Sequence, residues 1–256
     1  MGGIGGNTVA RNIAMLIAAA CCCSGAAAAA TDIHAYTEDV PPLNYLDGGS
    51  IKGYSTEVLR LVAKEAGLSL DIDALPWLRA YAKVEETPDT LLYTIVRTPE
   101  REQQFLWVGP IGPRRIYLYR LAARDDIRIA SQNDLQRYHN GALAGSAAAN
   151  QLAAQGLQSG SALDIGRSDA TNLKKLQLGR LDLVAMLDWA MAWQLRLQRE
   201  PGKSVTPALL LDGKREYWFA LNRKTPPERI RRLQDALNRI RADGRLQAIR
   251  RHYRSD

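Results

Sequence analysis

From residue 31 to the C-terminus, the apolar positions switch repeatedly between a period of two and a period of three to four. Leu70, Ile72 and Ala74 alternate with Ser69, Asp71 and Asp73, the pattern of a strand with one buried face. Just before it, Val58, Leu59, Val62, Ala63 and Ala66 fall on one side of a helix that Ser55 is placed to cap and Gly67 to stop. The same order recurs further along. Ala142-Leu143-Ala144 reads as a short strand feeding a turn at Gly145-Ser146, with Asn150–Ala154 helical after it. Ser168 or Asp169 is placed to cap a helix carrying Leu173, Leu176 and Leu178; Gly179 ends it, and Leu181–Met186 resumes as a buried strand. Tyr217–Leu221 is a strand by its aromatic content, and Pro226-Pro227 opens a last helix striped by Ile230, Leu233, Leu237 and Ile240. Strand and helix alternate throughout with no internal repeat, which predicts an α/β fold.

The first thirty residues follow a different pattern: Arg11, an apolar run from Ile13 to Cys23, then Ser24-Gly25 and an alanine tract to Ala30. This is the outline of a secretory signal peptide, with Ala28 and Ala30 suiting cleavage before Thr31. The run is shorter than the roughly 20 apolar residues that span a bilayer. All three cysteines, Cys21, Cys22 and Cys23, lie within it, so cleavage there leaves no disulfide, thiolate or cysteine metal site. Lipidation of one of them is the less favoured alternative, because Ala18 stands three residues before Cys21, where a lipobox carries a larger apolar residue.

The whole chain has 256 residues, 46% of them hydrophobic and 24% charged, enough to divide a core between two lobes. Its formal charge is +7, and +6 without Arg11. Much of the excess sits in Arg229, Arg231, Arg232, Arg239, Arg241, Arg245, Arg250, Arg251 and Arg254, interleaved with the apolar stripe of the last helix. That placement reads as a solvated helix face, and export removes nucleic acid as a partner. His34, His139 and His252 stand beside no carboxylate or serine motif. There is also no Gly-x-Ser-x-Gly, no metal-ligand pair at helical spacing and no phosphate loop, so no cofactor or metal is expected.

Five segments carry a resemblance. Thr94-Ile95-Val96-Arg97-Thr98-Pro99-Glu100-Arg101 contains a Thr-x-x-Arg step, followed by Phe105 and by Gly109-Pro110, which reads as a turn. Pro41-Pro42-Leu43-Asn44-Tyr45, Gly53–Leu59, Gly179-Arg180-Leu181-Asp182 and Asp243–Ile249 fall in matching order around it. Together these resemble the family 3 extracellular solute-binding proteins, the polar amino-acid receptors of ABC importers. The resemblance implies the type II periplasmic-binding-protein fold: two α/β lobes joined by two hinge strands, with a ligand cleft between them. Lobe 1 would comprise residues 31–115 and 214–256 and lobe 2 residues 116–213, with crossings near Pro113–Tyr117 and Asp212–Arg215. It further implies a periplasmic monomer that captures a small polar molecule and hands it to an ABC permease in the inner membrane.

Within that resemblance Arg101 is expected to clamp a ligand carboxylate through paired, charge-assisted hydrogen bonds; by itself it would read as the partner of Glu100 or Glu102. Thr94 falls beside that carboxylate or is an ordinary strand threonine, and the turn Gly145-Ser146-Ala147 would complete the clamp from the second lobe. Trp77 is a stacking surface or a core residue, and Arg79 the partner of a second acidic group or an exposed charge. Tyr45 and Glu38 or Asp39 lie in the loop where the family places aromatic and acidic contacts. The acidic residue that holds an ammonium group in the family falls on Leu187, with Asp188 one position later; Asp188 either fills that role or caps the helix starting at Trp189. A dehydratase of the cyclohexadienyl type and a transporter-independent sensor are the alternatives on the same fold.

Overall fold

In the computed structural model, which describes residues 1–2, 31–199 and 204–253, strands and helices alternate as the periodicity requires. The expected signal peptide, its cleavage site and the three cysteines lie at 3–30, outside the described residues. The chain divides into two units, Met1–Ala30 and Thr31–Asp256, and every element belongs to the second. Strand β1 (Ile33–Thr37), a hairpin of β2 (Tyr45–Asp47) and β3 (Ser50–Lys52), helix α1 (Tyr54–Ala66), β4 (Leu70–Ala74), α2 (Trp77–Glu86) and β5 (Thr90–Val96) come first. Strand β6 (Leu106–Leu121) leads to β7 (Asn140–Leu143), α3 (Ala147–Ala154), β8 (Leu163–Gly166), α4 (Asp169–Gln177), β9 (Leu183–Leu187) and α5 (Asp188–Leu197). Strand β10 (Val205–Leu221), α6 (Pro227–Ala242) and α7 (Arg245–Tyr253) close the chain.

Apart from the hairpin, the strands form one eight-stranded sheet in the order β4-β1-β5-β10-β6-β9-β7-β8. Strands β4, β1 and β5 are parallel to one another, as are β8, β7 and β9. Between the two parallel sets run β6 and β10, antiparallel to each other and long enough to serve both, pairing from Leu106–Leu221 to Leu121–Val205. Their ladder shifts register on either side of Asp212. The core divides in the same way. Leu59, Leu91, Phe219 and Leu237 belong to one buried cluster, and Leu118, Leu135, Leu152 and Leu183 to another. Trp189 of α5 joins the first cluster although its neighbours Ala190 and Met191 belong to a third, with Tyr119 and Leu173, and its indole N–H donates to Pro113 O at 3.1 Å.

Two local expectations are corrected. Ser55 does not cap α1; it is the buried second residue of that helix, and its Oγ has no hydrogen-bond partner. The first N–H groups of α1 are met by the preceding loop, Tyr54 N donating to Pro42 O at 3.0 Å and Ser55 N to Leu43 O at 2.8 Å. That fit needs glycine at 53, where φ is +120° and a Cβ would stand 2.5 Å from Leu43 O. Gly109-Pro110, which reads as a turn, lies inside β6. Strand β6 also contains Pro113, and prolines survive there because its ladder to β10 is irregular.

The arginine-rich face of α6 is exposed as expected, yet it is bonded rather than merely solvated. Arg232 donates to Ala66 O at 2.6 Å and to Gly67 O at 3.1 Å, satisfying carbonyls at the end of α1. Glu65 receives Arg239 at 3.0 Å and Arg245 at 2.9 Å, and these guanidinium groups hold its carboxyl below the usual carboxylate range. Replacing Arg232 by Ala leaves the end of α1 without these donors and is expected to lower stability by about 1–3 kcal/mol, as charged hydrogen bonds typically contribute. Urea denaturation with an unchanged m-value checks it.

Candidate ligand-binding cleft

The parallel strands of both halves point their carboxyl ends toward one cavity of about 610 Å³. That is where ligands collect in open α/β sheets, because loops and helix N-termini meet there. Glu38 follows β1, Thr94 and Val96 end β5, Arg101 lies in the loop after it, and Trp77 opens α2. From the other half come Ser146 after β7, Asp169 after β8 and Leu187 at the end of β9. Arg114 of β6 and Tyr217 of β10 line it from the strands that run between the halves.

The Thr-x-x-Arg step is a turn: Arg101 N donates to Thr98 O at 3.0 Å, with Pro99 in the position where proline presets a turn. Arg101 Nη1 donates to Val96 O at 3.2 Å, and the guanidinium lies 5.5 Å from the Trp77 ring centre and 5.8 Å from that of Tyr81. Cation–π contact and one carbonyl therefore hold its plane while leaving other N–H groups unused. Neither neighbouring glutamate claims it. Glu102 is taken by Arg97, which donates to it from Nε at 2.7 Å, and among the described residues Arg101 has no ion-pair partner. Trp77 thus faces the cavity and Arg101 at once.

Thr94 has φ +65°, in the left-handed region that costs a β-branched residue of order 1–3 kcal/mol. It is the extra residue of a β-bulge: β10 pairs Trp218 with Ile95 and Phe219 with Tyr93, skipping Thr94. Its hydroxyl donates to Asn44 Oδ1 at 2.6 Å, and Asn44 Nδ2 donates to Glu38 O. Fully buried Asn44 therefore ties the first loop to the bulge, a role its place in Pro41–Tyr45 does not reveal.

Ser146 caps α3, its Oγ accepting from Ala149 N at 3.1 Å, which leaves the hydroxyl proton to donate elsewhere. Its backbone N–H is already used by Leu143 O, so the free first-turn donors beside the cavity belong to Ala147 and Ala148. At the other helix start Ser168 is the cap, accepting from Thr171 N at 3.1 Å, and Asp169 is the first helical residue. Burial pushes the Asp169 carboxyl up to about 6, and burial also raises that of Glu38. Buried Arg114 is spent on Asp212 at 2.6 Å. Burial also raises the pKa of Tyr217, against the lowering effect of Arg114.

Three candidates from the sequence lie outside this lining. Tyr45 packs on Trp193 of α5, ring centres 5.2 Å apart. Arg79 is exposed on α2. Asp188 begins α5, buried, with Oδ1 accepting from Trp189 N at 2.9 Å, while Leu187 takes the cavity position. Asp39 is exposed and Glu38 is the acid of that pair that lines the cavity. Arg114, Tyr217 and Asp169 were not singled out as ligand groups; a strand arginine and a helix-start aspartate carry no local signal of the cavity they face. Among the described residues, no group of three or more His, Cys, Asp or Glu is placed to hold a metal ion. No described helix is long and apolar enough to cross a membrane.

A family model described as "Bacterial extracellular solute-binding proteins, family 3" matches residues 33–256. No curated protein matches the sequence. Among solved structures, substrate-binding domain 2 of GlnP from Lactococcus lactis, in an open conformation, is 20% identical with a TM-score of 0.70, covering 89% of this chain and 97% of its own. A histidine kinase sensor domain with similarity to periplasmic binding proteins is 20% identical with a TM-score of 0.66, covering 86% of this chain and 95% of its own. The arginine-, lysine-, histidine-binding protein ArtJ of Geobacillus stearothermophilus is 16% identical with a TM-score of 0.62, covering 88% and 96%. The fold is therefore that of the type II periplasmic binding proteins.

Asp169 gives a test of the cleft's dryness. A carboxyl raised from 3.8 to about 6 on folding binds its proton more tightly in the folded chain, so stability from this group is present below pH 3.8 and lost as pH rises through 6. Asp169→Asn removes that loss and is expected to stabilise the ligand-free protein at pH 7.5 by up to about 3 kcal/mol, at about 1.4 kcal/mol per pH unit. The gain should shrink towards zero as the pH approaches 4. Thermal melts across that range check the sign.

Proposed function

The chain belongs to the bacterial extracellular solute-binding proteins of family 3, and from that premise we propose that it is an exported clamp that closes on a small polar, carboxylate-bearing molecule and delivers it to an ABC permease. Binding, not turnover, is its task. The observation that carries the reading is Arg101: a guanidinium stacked on two rings, bonded to one carbonyl, without an ion-pair partner among the described residues, in the wall of the cavity. A carboxylate docks on such a group in a bidentate fashion. Ser146 and the first turn of α3 offer hydroxyl and N–H donors to the same anion from the opposite half.

We assign residues 31–115 and 214–256 to one lobe and 116–213 to the other. The register shifts on either side of Asp212 supply the flexible point on β10, opposite Arg114 and Ile116 of β6. Residues 1–30 direct the chain to the periplasm, where it acts as a monomer. Capture that feeds a signalling partner is the second reading, favoured by the histidine kinase sensor domain of the same fold. Loss of uptake, rather than of a transcriptional response, on deletion of the protein separates the two.

Saturating ligand is expected to raise the melting midpoint, as mass action requires, and Arg101→Ala to abolish the rise for every carboxylate that gives it. A carboxylate that shifts Arg101→Ala as much as the parent overturns the assignment. Closure is expected to reduce the radius of gyration measured by solution X-ray scattering on addition of that ligand; an unchanged value would show a cleft that does not close.

A further inference from the structure

Helix α5 continues from β9, whose last residue, Leu187, lines the cleft, whereas no residue of α5 does so. The two sides of this helix are fastened to different halves of the molecule. Ala190, Met191 and Leu195 share a buried cluster with Leu173 and Leu176 of α4. Trp189, Trp193 and Arg196, four and then three residues apart and so on one stripe of the helix, reach the first half instead. The Trp189 ring lies 4.6 Å from that of Tyr54 in α1, and its indole N–H meets Pro113 O, where β6 passes between the halves. Trp193 packs on Tyr45 of β2 with ring centres 5.2 Å apart, and Arg196 Nη1 donates to His252 O of α7 at 3.2 Å. We propose that α5 is a lever pivoted at Trp189, and that Trp193 and Arg196 form a latch holding the cleft open, so that residues outside the cleft set the affinity within it. This rests on the closure of the two halves proposed above.

Position along the helix gives the sense of the movement. Leu187 stands on the cavity side, Trp189 at the crossing strand, and Trp193 and Arg196 beyond it. At 1.5 Å per residue, Trp193 lies about 6 Å and Arg196 about 10 Å along the axis from Trp189. When one half rotates against the other, each atom moves in proportion to its distance from the rotation axis. Trp189 is completely buried and bonded to the strand that crosses, so close packing leaves it little room to move. The displacement falls on the two outer contacts, and a rotation that narrows the cleft at Leu187 widens the gap at Arg196. Both contacts are able to part. Trp193 and Tyr45 are half-buried, and Arg196 is exposed and exchanges its carbonyl for water at small net cost. Contacts made in the open form alone reduce the closed population, and apparent affinity falls with it.

The test compares the parent with Trp193→Ala, Tyr45→Ala and Arg196→Ala. The probe is whichever L-amino acid, 2-oxo acid or dicarboxylate most raises the parent's melting midpoint, titrated by calorimetry. Removing either ring is expected to tighten binding about two- to tenfold, the fold-change that an aromatic pair of ordinary strength makes. The double variant should gain nothing further, since either change alone breaks the pair. Arg196→Ala should act in the same direction, and its exposed position keeps the test open if the aromatic variants fail to fold. A residue that merely supports the fold lowers the melting midpoint without tightening binding. Weaker or unchanged binding in variants that retain the parent's circular dichroism overturns the latch. Without ligand, X-ray scattering is expected to give the variants a smaller radius of gyration than the parent. If no probe binds the parent, the carboxylate reading falls by itself, and the ligand-free radius decides the latch: a value equal to the parent's overturns it.

Discussion

Hydrogen bonds between β6 and β10 run from Leu106–Leu221 at one end of the sheet to Leu121–Val205 at the other, so two strands are shared by both halves of the molecule. Each half then completes itself with parallel strands, β4-β1-β5 on one side and β9-β7-β8 on the other. Because both sets run into the same space, the carboxyl ends of five different strands and the starts of α2, α3 and α4 converge without a long loop to bring them there. The cleft is a consequence of that shared pair. Irregularity in its ladder, on either side of Asp212, is the price of bending a continuous sheet.

Several charges outside the cleft are matched in pairs. Arg97 is matched by Glu102, Arg124 by Asp126 and Asp182, Lys175 by Asp164, Arg229 by Asp89, Arg239 by Glu65 and Arg245 by Glu65 and Asp243. Arg101, Glu38 and Asp169 have no such match among the described residues, and all three line one cavity. Partly desolvated groups left without partners are uncommon because they cost stability. Their concentration at the convergence of strand ends is what a binding site looks like before its ligand arrives.

Much of the fold was legible in the sequence because the signals were local. Gly67 ends α1 in a left-handed conformation, Pro226-Pro227 opens α6, and Leu233, Leu237 and Ile240 are buried at helical spacing. What escaped depended on distant partners. Ser55 looked like a cap, but the carbonyls of Pro42 and Leu43 arrive from another segment to do that work. Strand β6 hid behind Gly109, Pro110 and Pro113, residues that signal turns until a long partner strand is present. In the site, Arg101, Thr94, Trp77 and Ser146 follow from the resemblance and line the cavity, whereas Tyr45 and Arg79 do not. Asn44 and Asp169 could not be singled out, since their roles come from what faces them across the fold.

The half that the chain begins first is also the half it finishes last. Strand β5 obtains its second neighbour only when the end of β10 is made, and the carbonyls at the end of α1 wait for Arg232. The buried cluster containing Leu59 and Leu91 likewise lacks Phe219, Leu233 and Leu237 until then. A chain emerging from its N-terminus therefore holds an incomplete sheet until β10 appears and an incomplete core until α6 follows, as expected where contacts join distant parts of the sequence. The topology that opens a cleft between two sets of parallel strands thus also makes the folded state wait for segments more than a hundred residues downstream of the strands they complete.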